Sequence, residues 1–463
     1  MIVTEPVVVI GAGPVGLAAA AHLAERGLEF LVLESGPSVA AAIDEWRHVK
    51  LFSPWRYDID GAARRLLEQT DWIEPDLDVL PTGGDLIDFY LAPLAKAPQL
   101  GDRIRYGAQV AAVTRVGFDR VRTAGRAEAP FLVRLADGEE VLASAVIDAA
   151  GTWRRPNVLG GSGIPARGEA DVTDAISAAL PDVLVRDRER FAGRRTAVVG
   201  AGHSAATTLL ELGELAAQEP GTEVFWVVRG ADQARTYGGG AGDELPARGA
   251  LGMRLQKLVQ SGHVELVSSF RIEAVARTAD GRVELAAGDR TVVVDTVVNS
   301  TGFRPDHDMV GELRLDLDPI LGSTRALAPL IDPNQHSCGT VPPHGVDELE
   351  HPEPGYYAVG AKSYGRAPTF LLATGYEQAR SVVAALAGDW EAARDVQLNL
   401  PETGVCSSNL AYGDSTDEAA GGCCGPAPQA VEAPAGRGLA TGISGGLLTV
   451  VEARPTTQSS CCG

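Results

Sequence analysis

Cysteine is missing from the first 337 residues of this 463-residue chain; the six present are Cys338, Cys406, Cys423, Cys424, Cys461 and Cys462. No disulfide framework can therefore support the main body, and the distribution suits a reducing compartment. Positive charge is also scarce: 40 Lys and Arg stand against 61 Asp and Glu, a net charge of −21. That balance argues against nucleic-acid binding, which needs a basic surface, and against docking on anionic membrane. No apolar run approaches the ~20 residues of a spanning helix. The opening Met1-Ile2-Val3-Thr4-Glu5-Pro6 has neither the basic segment nor the long apolar one of a secretion signal. We expect a soluble, cytoplasmic protein with no nucleic-acid or membrane partner. Apolar residues make up 45% of it, enough for ordinary cores, and the length suits about three domains at ~150 residues each.

What is present begins at Val7. The run Val7-Val8-Val9-Ile10 has the fully apolar character of a buried parallel strand. Gly11-Ala12-Gly13-Pro14-Val15-Gly16 follows, then an alanine-rich helical stretch to Arg26, a stop at Gly27, and a second apolar strand, Phe30-Leu31-Val32-Leu33, ending at Glu34. Strand, glycine turn, helix, strand and terminal acid together point to dinucleotide binding. Gly11 permits the tight turn, Gly13 admits a pyrophosphate, and Gly16 lets the helix pack on the sheet. The helix N-terminus attracts the diphosphate despite the acidic whole, and Glu34 is placed to accept from ribose hydroxyls. A unit this near the start suits FAD. Pro14, Val15, Ser35 and Val110 join the expected cofactor-binding set.

Residues 194–229 repeat the pattern. Thr196-Ala197-Val198-Val199 leads into Gly200-Ala201-Gly202-His203-Ser204-Ala205, then an amphipathic helix through Leu215 and the strand Val224-Phe225-Trp226-Val227-Val228. Here the second strand ends in Arg229, not an acid. An acid repels a 2′-phosphate, whereas arginine binds it by charge-assisted hydrogen bonds, so the spacing points to NADPH. His203 reads as a cofactor-side or packing residue.

Two such units imply hydride transfer from NADPH to FAD. Val146-Ile147-Asp148-Ala149-Ala150-Gly151-Thr152 and Val297-Val298-Asn299-Ser300-Thr301-Gly302 flank the second unit as two crossing points. The expected fold is α/β: two Rossmann-like dinucleotide-binding domains, the NADPH domain inserted into the FAD domain, plus a Cys-containing flexible C-terminal tail. The boundaries are 1–155 and 298–398 for the two parts of the FAD domain, 156–297 for the NADPH domain, and 399–463 for the tail.

Residues 1–395 resemble the class B flavoprotein monooxygenases, the group of flavin-containing and Baeyer–Villiger enzymes. The resemblance is carried by Gly11 to Gly16, Trp46, Phe52-Ser53-Pro54, Gly151-Thr152-Trp153 with Pro156, Gly193 leading to Gly200–Ala205, and Thr301-Gly302-Phe303-Arg304-Pro305. It implies that Trp46 and Ser53 lie along the flavin and that Gly151, Thr301 and Gly302 belong to linker strands. Near the place of that group's aromatic-x-Gly and histidine signature stands Glu169-Ala170-Asp171-Val172-Thr173-Asp174, with no histidine. The segment Tyr356-Tyr357-Ala358-Val359-Gly360-Ala361-Lys362-Ser363-Tyr364-Gly365-Arg366-Ala367-Pro368-Thr369-Phe370 and the tail resemble, more narrowly, the flavin monooxygenases of bacterial arsenic-resistance clusters. That implies Gly360 and Lys362 beside the flavin, Lys362 lending charge to an electron-rich ring. It also implies an NADPH-dependent enzyme that uses O2, through a flavin C4a-peroxide, to oxygenate a small soft nucleophile, a thiol or trivalent arsenical.

Cys338 with His336 and His344 is either a thiolate or soft-ligand constellation or a buried small cysteine with two surface histidines. The tail holds two adjacent pairs, Cys423-Cys424 and Cys461-Cys462, candidates for capturing a soft metalloid. As a coil, the stretch beyond Cys406 spans ~40 Å, enough to reach a site mouth. Gly238-Gly239-Gly240-Ala241-Gly242 reads as a mobile loop or a surface excursion. Two alternatives stay open: an NADPH-dependent disulfide or metal-ion reductase using Cys338 or the tail pairs, and a non-enzymatic metalloid-binding protein that retains FAD. A homo-oligomer is also left open.

Overall fold

The computed structural model describes residues 5–231, 233–237, 246–336 and 341–398. Cys338, the Gly238–Gly242 loop and every tail cysteine (Cys406, Cys423, Cys424, Cys461 and Cys462) lie outside the described residues.

Strand β1 (Val7–Ile10) is buried throughout because both of its faces are covered. Alternation decides what each side chain meets. Val7 and Val9 join a core built with helices, whereas Val8 and Ile10 face a small antiparallel sheet. Helix α1 (Pro14–Glu25) follows, with Pro14 in its first turn where no N–H is needed. It is apolar nearly all round, and Leu17 and Leu23 have no exposure; each contributes about 1.5–3 kcal/mol by burial.

Strands β2 (Phe30–Leu33) and β3 (Ile104–Arg105) extend the first sheet. The chain then makes the meander β4 (Val110–Arg115), β5 (Phe131–Leu135) and β6 (Glu140–Ala143). It returns to the first sheet as β7 (Ala145–Asp148), parallel to β1.

There the second unit is inserted. It comprises β8 (Ile176–Ser177), β9 (Arg195–Val199), helix α2 (His203–Gln218), β10 (Glu223–Val227), helix α3 (Pro246–Gln260) and β11 (Glu265–Val267). A second meander, β12 (Ala274–Arg277), β13 (Val283–Ala287) and β14 (Arg290–Val294), precedes β15 (Thr296–Asn299). The second sheet has the order β11-β10-β9-β15-β8. Only then does β16 (Tyr356–Ala358) complete the first sheet, ordered β16-β7-β1-β2-β3. Helix α4 (Leu372–Leu386) covers α1. Among the described residues no helix is long and apolar enough to cross a membrane.

Candidate functional site

In open parallel sheets, ligands bind beyond the carboxyl ends of the strands. β1 ends there at Gly11, whose φ of +98° suits glycine alone; a Cβ would stand 2.8 Å from the Ala149 carbonyl after β7. A Cβ on Gly16 would stand 1.9 Å from the Gly11 carbonyl, so α1 docks directly on its own turn. Gly13, the residue that opens α1, faces open space and provides no side-chain cap. Glu34 closes the cradle: its Oε2 accepts from the Ala12 amide at 2.7 Å and its Oε1 from the Gly36 amide at 2.7 Å. Each oxygen keeps a second acceptor direction, so the carboxylate both holds the turn and remains able to receive a hydroxyl. Ser35 Oγ lies 3.4 Å from the same carboxylate.

The second turn repeats this geometry. Gly200 has φ +140°, and a Cβ would meet the Ser300 carbonyl at 2.0 Å. Gly202 opens α2 into open space, Ala205 is buried at the helix–sheet contact, and Ser204 is half-buried. Buried Trp226 donates from Nε1 to the Gly200 carbonyl at 2.7 Å and braces the turn from beneath. Arg229 is exposed past β10.

Both crossing points meet between the units. Pro156 bridges antiparallel to Phe303, and the Asn157 amide donates to the Gly302 carbonyl at 2.9 Å. The Asn157 side chain donates to the Thr301 carbonyl at 3.0 Å and accepts from Arg304 Nε at 2.9 Å. Asn299 donates to the Asn157 carbonyl at 2.7 Å. Aromatic rings fill the same region. Trp153 lies 4.8 Å from Phe303 and 6.3 Å from Trp46, with its indole N–H on Glu45 at 2.8 Å. Phe52, from the first unit, lies 5.0 Å from the His203 ring at the start of α2. Trp46 and His203 thus pack at this junction, and Gly151 turns into it.

The returning strand brings its own groups. Gly360 and Gly375 both press on Val15: a Cβ would come within 3.2 Å and 2.6 Å of Val15 Cγ2 respectively. This docks the first turn of α4 beside that of α1. Lys362 lies inside the fold at 1% exposure; its Nζ meets Asp148 Oδ2 at 2.5 Å, an oxygen that also accepts from Tyr356 Oη at 2.9 Å. Its charge is therefore matched by a buried carboxylate, not offered to open space. His344 is likewise interior. Its Nδ1 lies 3.0 Å from the Pro342 carbonyl and its Nε2 3.0 Å from Gln378 Nε2, so Nδ1 carries the hydrogen and Nε2 accepts. Burial lowers its pKa and keeps it neutral. His336 Nε2 lies 3.0 Å from the Pro329 carbonyl. Cys338, the third member of the expected set, lies outside the described residues. Val110 begins β4, half-buried in the first meander.

Several groups at the site carry no sequence signal. Asp148 ends an apolar strand, but its pairing with Lys362 spans more than 200 positions. Asp58 is fully buried, and its Oδ1 accepts from Ser53 Oγ at 2.8 Å. A cavity of about 740 Å³ is lined by His22, Asp60 and Tyr376 among others. Its guanidinium groups are all satisfied: Arg65 by Glu25, Arg26 by Asp389, Arg380 by Glu377, Arg56 by Asp78. It offers no cradle comparable to the two glycine turns.

The comparisons with known proteins agree with this geometry. Ferredoxin–NADP reductase of Rhodospirillum rubrum is 26% identical over 379 residues, covering 81% of this chain and 88% of that one. Indole-3-pyruvate monooxygenase YUCCA1 of Oryza sativa subsp. japonica is 31% identical over 205 residues; this chain spans 44% of its length, using 44% of its own. Among solved structures, bacillithiol disulfide reductase from Bacillus cereus aligns with a TM-score of 0.61 at 17% identity, over 83% of this chain and 99% of that one. Flavin-containing monooxygenase from Stenotrophomonas maltophilia aligns at 0.53 and 21%, over 83% and 98%. At such identities the structures share the fold. Residues 8–337 match the family described as pyridine nucleotide-disulphide oxidoreductase, and this chain, an oxidoreductase, belongs to that family.

Proposed function

We propose that the chain binds FAD on the first glycine turn and NADPH on the second, and oxygenates a small soft nucleophile, a thiol or trivalent arsenical. The observation that carries this reading is the matched pair of open turns, at Gly13 and Gly202, with terminal groups of opposite sign, Glu34 and Arg229. The residues fit the two groups. Uncapped N–H groups of α1 and α2 suit pyrophosphates, Glu34 suits an unphosphorylated ribose, and Arg229 suits a 2′-phosphate. A flavin held at Gly11, Gly13, Gly16 and Glu34 would supply the redox chemistry toward dioxygen, and a nicotinamide nucleotide held at Gly200, Gly202 and Arg229 would supply the reducing equivalents.

The chain's own work is binding, orientation and exclusion of water. Val15, Gly360 and the first turn of α4 form a close-packed floor, and that helix end favours negative charge nearby. Trp46, Phe52, Trp153 and Phe303 wall the junction between the turns with apolar surface. With no cysteine in residues 1–337, neither unit has a dithiol to receive electrons, which favours dioxygen as acceptor. The second reading is an NADPH-dependent disulfide or metal-ion reductase. The family description favours it, and it relies on Cys338 or the pairs Cys423-Cys424 and Cys461-Cys462.

The test is NADPH oxidation by the purified full chain with thiols, arsenite or disulfides under isotopically labelled dioxygen. Label in the oxidised product supports oxygenation. Disulfide cleavage without label incorporation overturns it in favour of the reductase.

A further inference from the structure

Residues 52–58 run from the second glycine turn to helix α4. At one end Phe52 touches His203 at the start of α2; at the other, the Asp58 carbonyl accepts from Tyr376 Oη in α4 at 2.8 Å. Within this strap Ser53 is half-buried and Asp58 is wholly buried. Asp58 Oδ1 takes the Ser53 hydroxyl, and Oδ2 has no partner among the described residues. Such a carboxyl pays a full desolvation cost when ionised, and the Ser53 hydroxyl is its one side-chain hydrogen-bond partner among the described residues.

We infer that Asp58 is a proton-holding positioning residue, which sets through Ser53 whether the hydroxyl offers a donor or an acceptor to a flavin-class ring in the crevice. With Asp58 ionised, the Ser53 hydrogen is committed to Oδ1 and only lone pairs face outward. With Asp58 protonated, the carboxyl donates to Ser53 Oγ and the hydroxyl hydrogen turns outward. No covalent bond other than the carboxyl O–H is made or lost, and the proton exchanged is the solvent's.

The surroundings bring the titration of Asp58 close to neutrality. Burial pushes its pKa up to about 7, and the Ser53 bond pulls the other way. The groups facing it from the packed elements are Tyr376 of α4, Tyr90 and Asp60, the last paired with His22. Among the described residues no cation pairs with Asp58.

The inference rests on FAD occupying the first turn, so the test separates the two claims. The visible spectrum of the flavin-loaded protein is recorded from about pH 5.5 to 8.5 for the wild type, Asp58→Asn and Ser53→Ala. Thermal unfolding is followed over the same range. The wild-type flavin band is expected to shift with a midpoint near neutrality, and Asp58→Asn to abolish the shift. Ser53→Ala is expected to abolish it too while keeping the pH slope in stability, because Asp58 stays buried. A wild-type band that does not move overturns this inference alone. A protein that retains no flavin after reconstitution overturns both this inference and the functional reading.

Discussion

Lys362→Met tests the energetics of the buried pair beside the returning strand. The variant keeps the length and apolar stem of the side chain but removes the ammonium that meets Asp148 Oδ2 at 2.5 Å. Asp148 has no exposure and Lys362 only 1%, so the remaining carboxylate is stranded with, among the described residues, only Tyr356 Oη and the Ala150 amide as donors. Breaking a buried pair in this way costs about 3–5 kcal/mol, whereas removing both charges is often near neutral. At roughly 2 °C per kcal/mol for a unit of this size, melting should fall by ~5–10 °C. The double variant Asp148→Asn/Lys362→Met should regain most of that loss. Arg105→Met is the control, because Arg105 and Glu139 are 40% and 46% exposed and such pairs contribute only about 0–1 kcal/mol. Differential scanning calorimetry, with bound flavin measured in parallel, reads all three. A Lys362→Met protein that melts within a degree or so of Arg105→Met refutes the reasoning.

Gly200→Ala and Gly202→Ala should separate folding from binding. The first drives a methyl group into the Ser300 carbonyl at positive φ and should cost about 1–3 kcal/mol. The second meets nothing within 4 Å and should leave the melting temperature intact while weakening NADPH binding in fluorescence titrations. Arg229→Ala should raise the KM for NADPH ~10–100-fold, the equivalent of one charged hydrogen bond, with NADH unaffected in steady-state assays. His351 Nδ1 accepts from the Asp316 amide at 3.2 Å, and burial with the nearby His307 lowers its pKa to about 4. Because the folded value lies below the ordinary 6.5, its stabilising effect is present above pH 6.5 and is lost as pH falls toward 4. The loss approaches ~3 kcal/mol. Urea midpoints between pH 7 and 5 should fall less steeply in His351→Gln than in the wild type.

Both dinucleotide units are legible because their information is local. Val7 to Glu34 and Thr196 to Arg229 contain the apolar strands, glycine turns and helices that form there. What escapes a linear reading is partnership across long separations. Lys362 looks like a free charge until Asp148, 214 positions away, is placed against it. His344 looks like a surface base until Gln378 fixes its hydrogen. Asp58 sits in an unremarkable polar stretch, and only folding shows that its second oxygen faces no donor.

The Asn157 clasp bears on how electrons can travel. Its amide, side chain and carbonyl tie one connecting strap to Gly302, Thr301, Arg304 and Asn299 of the other. Swivelling one half of the enzyme against its neighbour would mean unzipping that knot at every turnover. A coenzyme that moved in its own groove while the protein stood still would leave that knot tied.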